Sequence, residues 1–215
     1  MIKIYNELLD RYGTQGWWPL LKHGYTKSSY EFELSKDEVL EIALGTILTQ
    51  NTNFNNVQKA LNNLSGFIDA KTILDMDITK LKELIKPAGY YNQKAEYIRA
   101  FCEFFIDLDG KTPTRDELLA LKGIGKESAD TIRLYGYKQN DFVVDAYTKR
   151  FFTHIGLIDE RAKYDEVKNL VEHSLEKTIK DKKTLSRIYH EFHALIVEHA
   201  KNHYSKKPYG CDIKL

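Results

Sequence analysis

Two amphipathic helical patterns, TRDELLAL and KESADTIRLYGYK, are separated only by the short stretch around Gly123-Ile124-Gly125. A connection this short and this rich in glycine predicts a tight interhelical turn in which the backbone approaches a partner closely. The second helix is expected to start near Lys126, and the N–H groups of its first turn carry partial positive charge. Such a turn suits a phosphate, although a glycine turn with no ligand satisfies the same spacing. Twenty residues beyond Gly125 a lone acid, Asp145, follows Phe142-Val143-Val144 and precedes the helical run AYTKRFF. That position predicts a helix N-cap. A cap fixes a carboxylate at a helix start, where it can also act on a nucleotide.

The rest of the chain predicts helices. Ser35 with Glu38, and Thr114 with Glu117, have capping-box spacing. Apolar stripes of period 3.6 run through residues 2–11, 36–50, 51–64, 78–89, 91–108 and three segments after Asp145. Only Phe142-Val143-Val144 is strand-like, and it is too short to count. Four prolines and twelve glycines in 215 residues leave long stretches uninterrupted, so the fold class is all-α. A net charge of +1 confines any nucleic-acid contact to a local patch. Cys102 lies in an apolar helical run and Cys211 stands far from it, which is no disulfide framework. No leader or membrane-length apolar run is present, so a cytoplasmic, reduced setting is expected. His190/His193 and His199/His203 have helical metal-ligand spacing. They lack an accompanying HExxH acid, so no metal site is expected, and surface or phosphate contact is the expected role.

LKGIGKESADTI followed by FVVDAYTKRFF resembles the helix-hairpin-helix and catalytic-aspartate signature of the endonuclease III superfamily of DNA repair glycosylases. ALGTILTQNTNFNNVQKAL is similar to the family's helix bearing a Gln that enters the gap left by a flipped base, here Gln50. PAGYYNQKAEYI is similar to its wedge loop, with Tyr90 at the intercalating position. The resemblance implies two helical lobes with a cleft between them. Residues 32–136 would form a six-helix lobe with the hairpin, and residues 1–31 plus 137–215 the other lobe. It implies Asp145 as the catalytic residue, Gly123, Ile124, Gly125 and Lys126 on DNA phosphate, double-stranded DNA with damaged bases as partner, and a monomer.

The chain departs from the family at informative places. Lyase-type members carry a Schiff-base lysine where this chain has Glu127. Lys126 is adjacent, but one helical step turns its side chain by about 100°. At the first and third cysteine positions of the family's iron–sulfur loop stand Tyr204 and Lys214, and only the second is a cysteine, Cys211. No cluster, and no other cofactor, is expected. These departures, with Trp17-Trp18-Pro19 and KGIGKESAD, resemble the 3-methyladenine DNA glycosylase III branch, which implies a monofunctional N-glycosylase for alkylated purines. That branch carries a pocket lysine in its last long helix where this chain has Leu195. Trp17, Trp18 and Glu127 are the expected base-pocket residues, the tryptophans offering aromatic faces to a cationic base. The alternatives are a glycosylase for oxidised or deaminated bases, with or without lyase activity, and a non-catalytic DNA-binding module.

Overall fold

The computed structural model describes residues 1–25, 30 and 33–204. Among them are eleven α-helices and no strand, apart from an isolated bridge between Leu20 and Gly24. The chain divides into two compact units. One contains residues 1–18, 25–31 and 138–215, and the other residues 19–24 and 32–137.

The first unit holds α1 (Ile2–Tyr12), α9 (Ala146–His154), α10 (Tyr164–Glu176) and α11 (Lys182–His203). Its core is aromatic: Phe142, Phe151, Phe152, Tyr189 and Phe192 are fully buried, and Phe192 meets Tyr5, Phe142 and Phe152 ring to ring. Phe142-Val143-Val144 is an extended buried segment without a strand partner. Its Phe142 N–H donates to Glu172 at 2.8 Å, and Glu172 is paired in turn with Lys168 at 2.7 Å. These bonds fix the segment that delivers Asp145 to the start of α9.

The second unit holds α2 (Lys36–Thr49), α3 (Phe54–Leu64), α4 (Ala70–Asp75), α5 (Ile78–Ile85), α6 (Tyr91–Leu108), α7 (Arg115–Leu119) and α8 (Lys126–Thr131). A 3-10 turn, Lys86–Ala88, follows α5, and a π-helical turn, Ile132–Gly136, continues α8. Both expected capping boxes form: Ser35 with Glu38, and Thr114 with Glu117. α2 is buried from Leu40 to Leu48, Glu41 and Thr46 included, as the central helix of its unit must be. The others pack leucine and isoleucine stripes around it. Pro87 and Gly89 close the turn that ends α5, as expected, whereas α4 is not visible in the apolar periodicity. It is only six residues long and is marked mainly by its cap, in which Asp69 accepts from Thr72 N–H at 2.7 Å.

The histidines of α11 correct the surface role expected of them. His190, His193 and His199 are buried, because the middle of α11 is covered on nearly every side. Among the described residues no group of histidines, cysteines and acids could hold a metal ion. The Tyr12 hydroxyl lies 2.7 Å from His199 Nδ1 and 3.2 Å from His203 Nε2, tying α1 to the end of α11.

Burial, followed by the charges of His203, Arg11 and His154, pushes the His199 imidazole down to about 4. The unfolded chain, with a histidine near pH 6.5, therefore binds a proton that the folded chain refuses between about pH 6.5 and pH 4. Stability should be full above that window and decline through it on acidification, by up to about 1.4 kcal/mol for each step of one in pH. Urea titrations at pH 7.5 and pH 5 should give a smaller loss on acidification for His199→Phe than for wild type; equal losses would contradict this.

Candidate functional site

The hairpin is shaped by packing. Gly123 has φ +87°, and a Cβ there would lie 2.3 Å from the ring of Tyr97. Only glycine fits the backbone and the space. Ile124 corrects its expected place on the phosphate side. Its side chain enters the core and its N–H donates to Leu121 O at 3.1 Å, so neither is turned outward. Gly125 caps α8 in an extended conformation and is exposed together with Lys126 and Glu127. The first helical bond runs from Ala129 N–H to Gly125 O at 2.8 Å, so the preceding N–H groups at the start of α8 lie outside the helical ladder. The two helices are locked by a buried bidentate pair: Arg115 Nε and Nη2 lie 2.7 and 3.0 Å from the carboxylate of Asp130.

Asp145 is the N-cap of α9, its Oδ1 accepting from Thr148 N–H at 2.7 Å. Its Oδ2 stands 3.6 Å from His193 Nε2. Burial raises the carboxyl, but the His193 imidazole and the Thr148 bonds outweigh it and hold Asp145 below the usual carboxylate range. One oxygen is thus committed to the helix, and the side chain keeps 16% of its surface exposed. His193 meets the Trp17 ring edge to face, with centroids 5.8 Å apart, and Lys201 Nζ lies 5.5 Å from that ring's centroid. Trp17 is half-buried, whereas Trp18 is only 7% exposed. Leu195 is fully buried. The place of His193 is not legible in the sequence: its spacing to His190 suggests a metal, and nothing local links it to Asp145.

Gln50 ends α2, and its Nε2 donates to Gly123 O at 2.8 Å and to Ser128 Oγ at 3.1 Å. It is thereby tied to the hairpin. Tyr90 is 65% exposed and sits in the left-handed region, φ 47° and ψ 29°, at the N-terminus of α6. An exposed aromatic on strained backbone does not serve packing.

Residues 44–177 match the HhH-GPD superfamily of base excision DNA repair proteins. The chain belongs to that superfamily. The HhH-GPD protein is 43% identical, over 99% of its length and 93% of the relative's, to a Methanocaldococcus jannaschii protein provisionally named a DNA repair glycosylase. It is 30% identical to the endonuclease III of Sulfolobus acidocaldarius over 81% of this chain and 78% of that one. Among solved structures it is similar to a Helicobacter pylori 3-methyladenine DNA glycosylase bound to 1,N6-ethenoadenine. The TM-score is 0.71 and the identity 28%, with 93% and 96% of the two chains covered. A trapped endonuclease III–DNA covalent intermediate shares the fold at TM-score 0.74 and 19% identity, with 98% and 89% covered. The HhH-GPD protein is therefore a base excision repair glycosylase by family. No helix among the described residues is long and apolar enough to cross a membrane.

The two hairpin glycines should respond differently to substitution. Gly123→Ala meets both positive φ and the Tyr97 ring, and should lose at least about 2 kcal/mol. At Gly125 no atom lies within 4 Å of an added Cβ, so Gly125→Val should cost about 1 kcal/mol or less. Denaturant unfolding of the two variants measures the contrast, and equal losses would contradict it.

Proposed function

We propose that this HhH-GPD protein is a monofunctional DNA N-glycosylase that excises alkylated purines such as 3-methyladenine from duplex DNA. The observation that carries the proposal is the ionised, largely enclosed carboxylate of Asp145, with His193 and Trp17 in one contiguous set. A base must leave the stack before its glycosidic bond can be cut. Tyr90, exposed and fixed, is suited to wedge the stack, and Gln50 to enter the gap, exchanging its bonds to Gly123 and Ser128 for bonds to DNA. Gly125 and Lys126 at the start of α8 are suited to phosphate.

An N-alkylated purine is cationic, so its leaving group needs no general acid. The C1′–N bond breaks with its electron pair passing to the base. The sugar becomes oxocarbenium-like, and water adds at C1′ with loss of a proton. A carboxyl held below the usual range is a weak base but a firm anion at neutral pH, which favours stabilising that cationic sugar. His193 is suited to position it, since the cap bond to Thr148 leaves Oδ2 facing the imidazole. Trp17, which presents more ring surface than Trp18, is the better candidate to face the base; Lys201 beside it shares the ring that a cationic base would use.

The chain's donor set does not fit an iron–sulfur cluster. Cys102 is buried in α6, Tyr204 carries no thiol, and Cys211 and Lys214 lie outside the described residues. One remaining cysteine cannot supply four thiolates. We propose that the protein works without a cluster, and as a monomer.

Single-turnover excision on duplexes carrying methylated purines, uracil or oxidised bases tests the substrate. Release of 3-methyladenine is expected, and Asp145→Asn, which can still cap α9, should lower it by about 100-fold or more while lesion binding persists. Robust release of oxidised pyrimidines with none of 3-methyladenine would defeat the proposal. Excision by Asp145→Asn within threefold of wild type would remove Asp145 from the chemistry.

A carboxylate cannot form a Schiff base, and Glu127 stands where a lyase needs an amine. Lys126 is exposed, and one helical step turns its side chain by about 100° from that of Glu127. Borohydride should therefore not link the protein to lesion DNA, and strand breaks should follow only after alkali. Efficient linkage that Lys126→Ala abolishes would make this protein a lyase with a shifted nucleophile.

A further inference from the structure

Lys94 has no place in the chemistry above, yet it is 2% exposed and, among the described residues, no carboxylate is paired with it. Its Nζ donates to Leu48 O at 2.8 Å and to Ala88 O at 2.9 Å. Leu48 lies in the last turn of α2, two residues before Gln50. Ala88 ends the 3-10 turn, two residues before Tyr90. The main-chain N–H of Lys94 donates to Tyr90 O at 3.0 Å. One residue thus holds the bases of both segments that carry the candidate DNA-inserting side chains. Gln50 extends the chain of bonds to the hairpin through Gly123 and Ser128.

The chemistry of the contact is specific. The final carbonyls of a helix lack partners in the helical ladder and carry its negative end charge. Ile47 O and Thr49 O receive Gln50 N–H and Thr52 N–H, and Leu48 O receives the ammonium. The interior penalises that ammonium: desolvation pushes it down to about 8. An apolar side chain of similar length would fill the volume without this cost, but would leave two buried carbonyls without the donor they now share. What a lysine adds over packing is a fixed distance between the end of α2 and the turn before Tyr90.

We propose that Lys94 is a positioning residue that holds Gln50 and Tyr90 in register for insertion into DNA. This rests on the inserting roles proposed above for Gln50 and Tyr90, and the test separates the two. The probe is a duplex with a tetrahydrofuran abasic analogue and 2-aminopurine beside it, whose fluorescence rises when the stack is opened. It requires no knowledge of the lesion. Lys94→Met should lower the fluorescence response at saturating protein at least fivefold. Affinity for plain duplex should stay within twofold, and unfolding should remain cooperative above the assay temperature. The triple variant Lys94→Met/Gln50→Ala/Tyr90→Ala should respond no less than Gln50→Ala/Tyr90→Ala, because Lys94 acts through those two side chains.

If Lys94→Met does not fold, Lys94→Gln, which keeps one donor, is measured by the same criteria. A response within twofold of wild type overturns the proposal. So does unfolding of both variants, or loss of plain-duplex binding in proportion to the response, either of which makes Lys94 a general stabiliser. A wild-type protein that gives no signal, or one that Tyr90→Ala leaves unchanged, would instead overturn the inserting roles themselves.

Discussion

The bond between Thr148 N–H and Asp145 Oδ1 is the constraint around which the first unit is organised. It stabilises the start of α9 by about 1 kcal/mol, and in doing so it immobilises a carboxylate that would otherwise rotate freely. The extended segment before it is held by Glu172 and by aromatic packing, so the cap has no freedom to drift. The anion remains ionised despite burial because an imidazole and Thr148 face it. A structural cap and the carboxylate proposed to act on the sugar are then the same group, and the same bond fixes it.

The second unit carries the hairpin and the exposed Tyr90, the groups proposed to meet DNA. Its interior is conventional leucine and isoleucine packing around α2. Its polar interior includes three hydrogen-bonded contacts that tie its elements together: Arg115 on Asp130, Lys94 on two carbonyls and Gln50 on the hairpin. Each joins different elements of the unit, and Lys94 and Gln50 lie next to segments with a proposed DNA role. Buried polar contacts are costly unless complete, and when complete they fix geometry more tightly than apolar packing does.

Membership of the HhH-GPD superfamily sets the reaction class, and the particular residues narrow it. Glu127 in place of an amine, a low-lying Asp145 and a half-buried Trp17 are what the proposal of hydrolysis at an already weakened glycosidic bond rests on. Leu195 is buried on the helix that also supplies His193, and His193 is a polar neighbour of Asp145 on that helix.

The sequence alone determined the helical class, both capping boxes, the hairpin turn and Asp145 as a cap, because each depends on residues within a few positions of one another. Glycine at 123 and the stop at Pro87 and Gly89 were legible for the same reason. Tertiary structure decided what depends on distant partners. The periodicity of α11 marked one apolar stripe, but neighbours on every side buried His190, His193 and His199 and put an imidazole beside Asp145, 48 residues away in sequence. Ile124 looked like part of an exposed turn and became core. Lys94, one charge in an amphipathic helix, became an internal clamp, because only the folded chain brings the end of α2 and the turn before Tyr90 within reach of one ammonium.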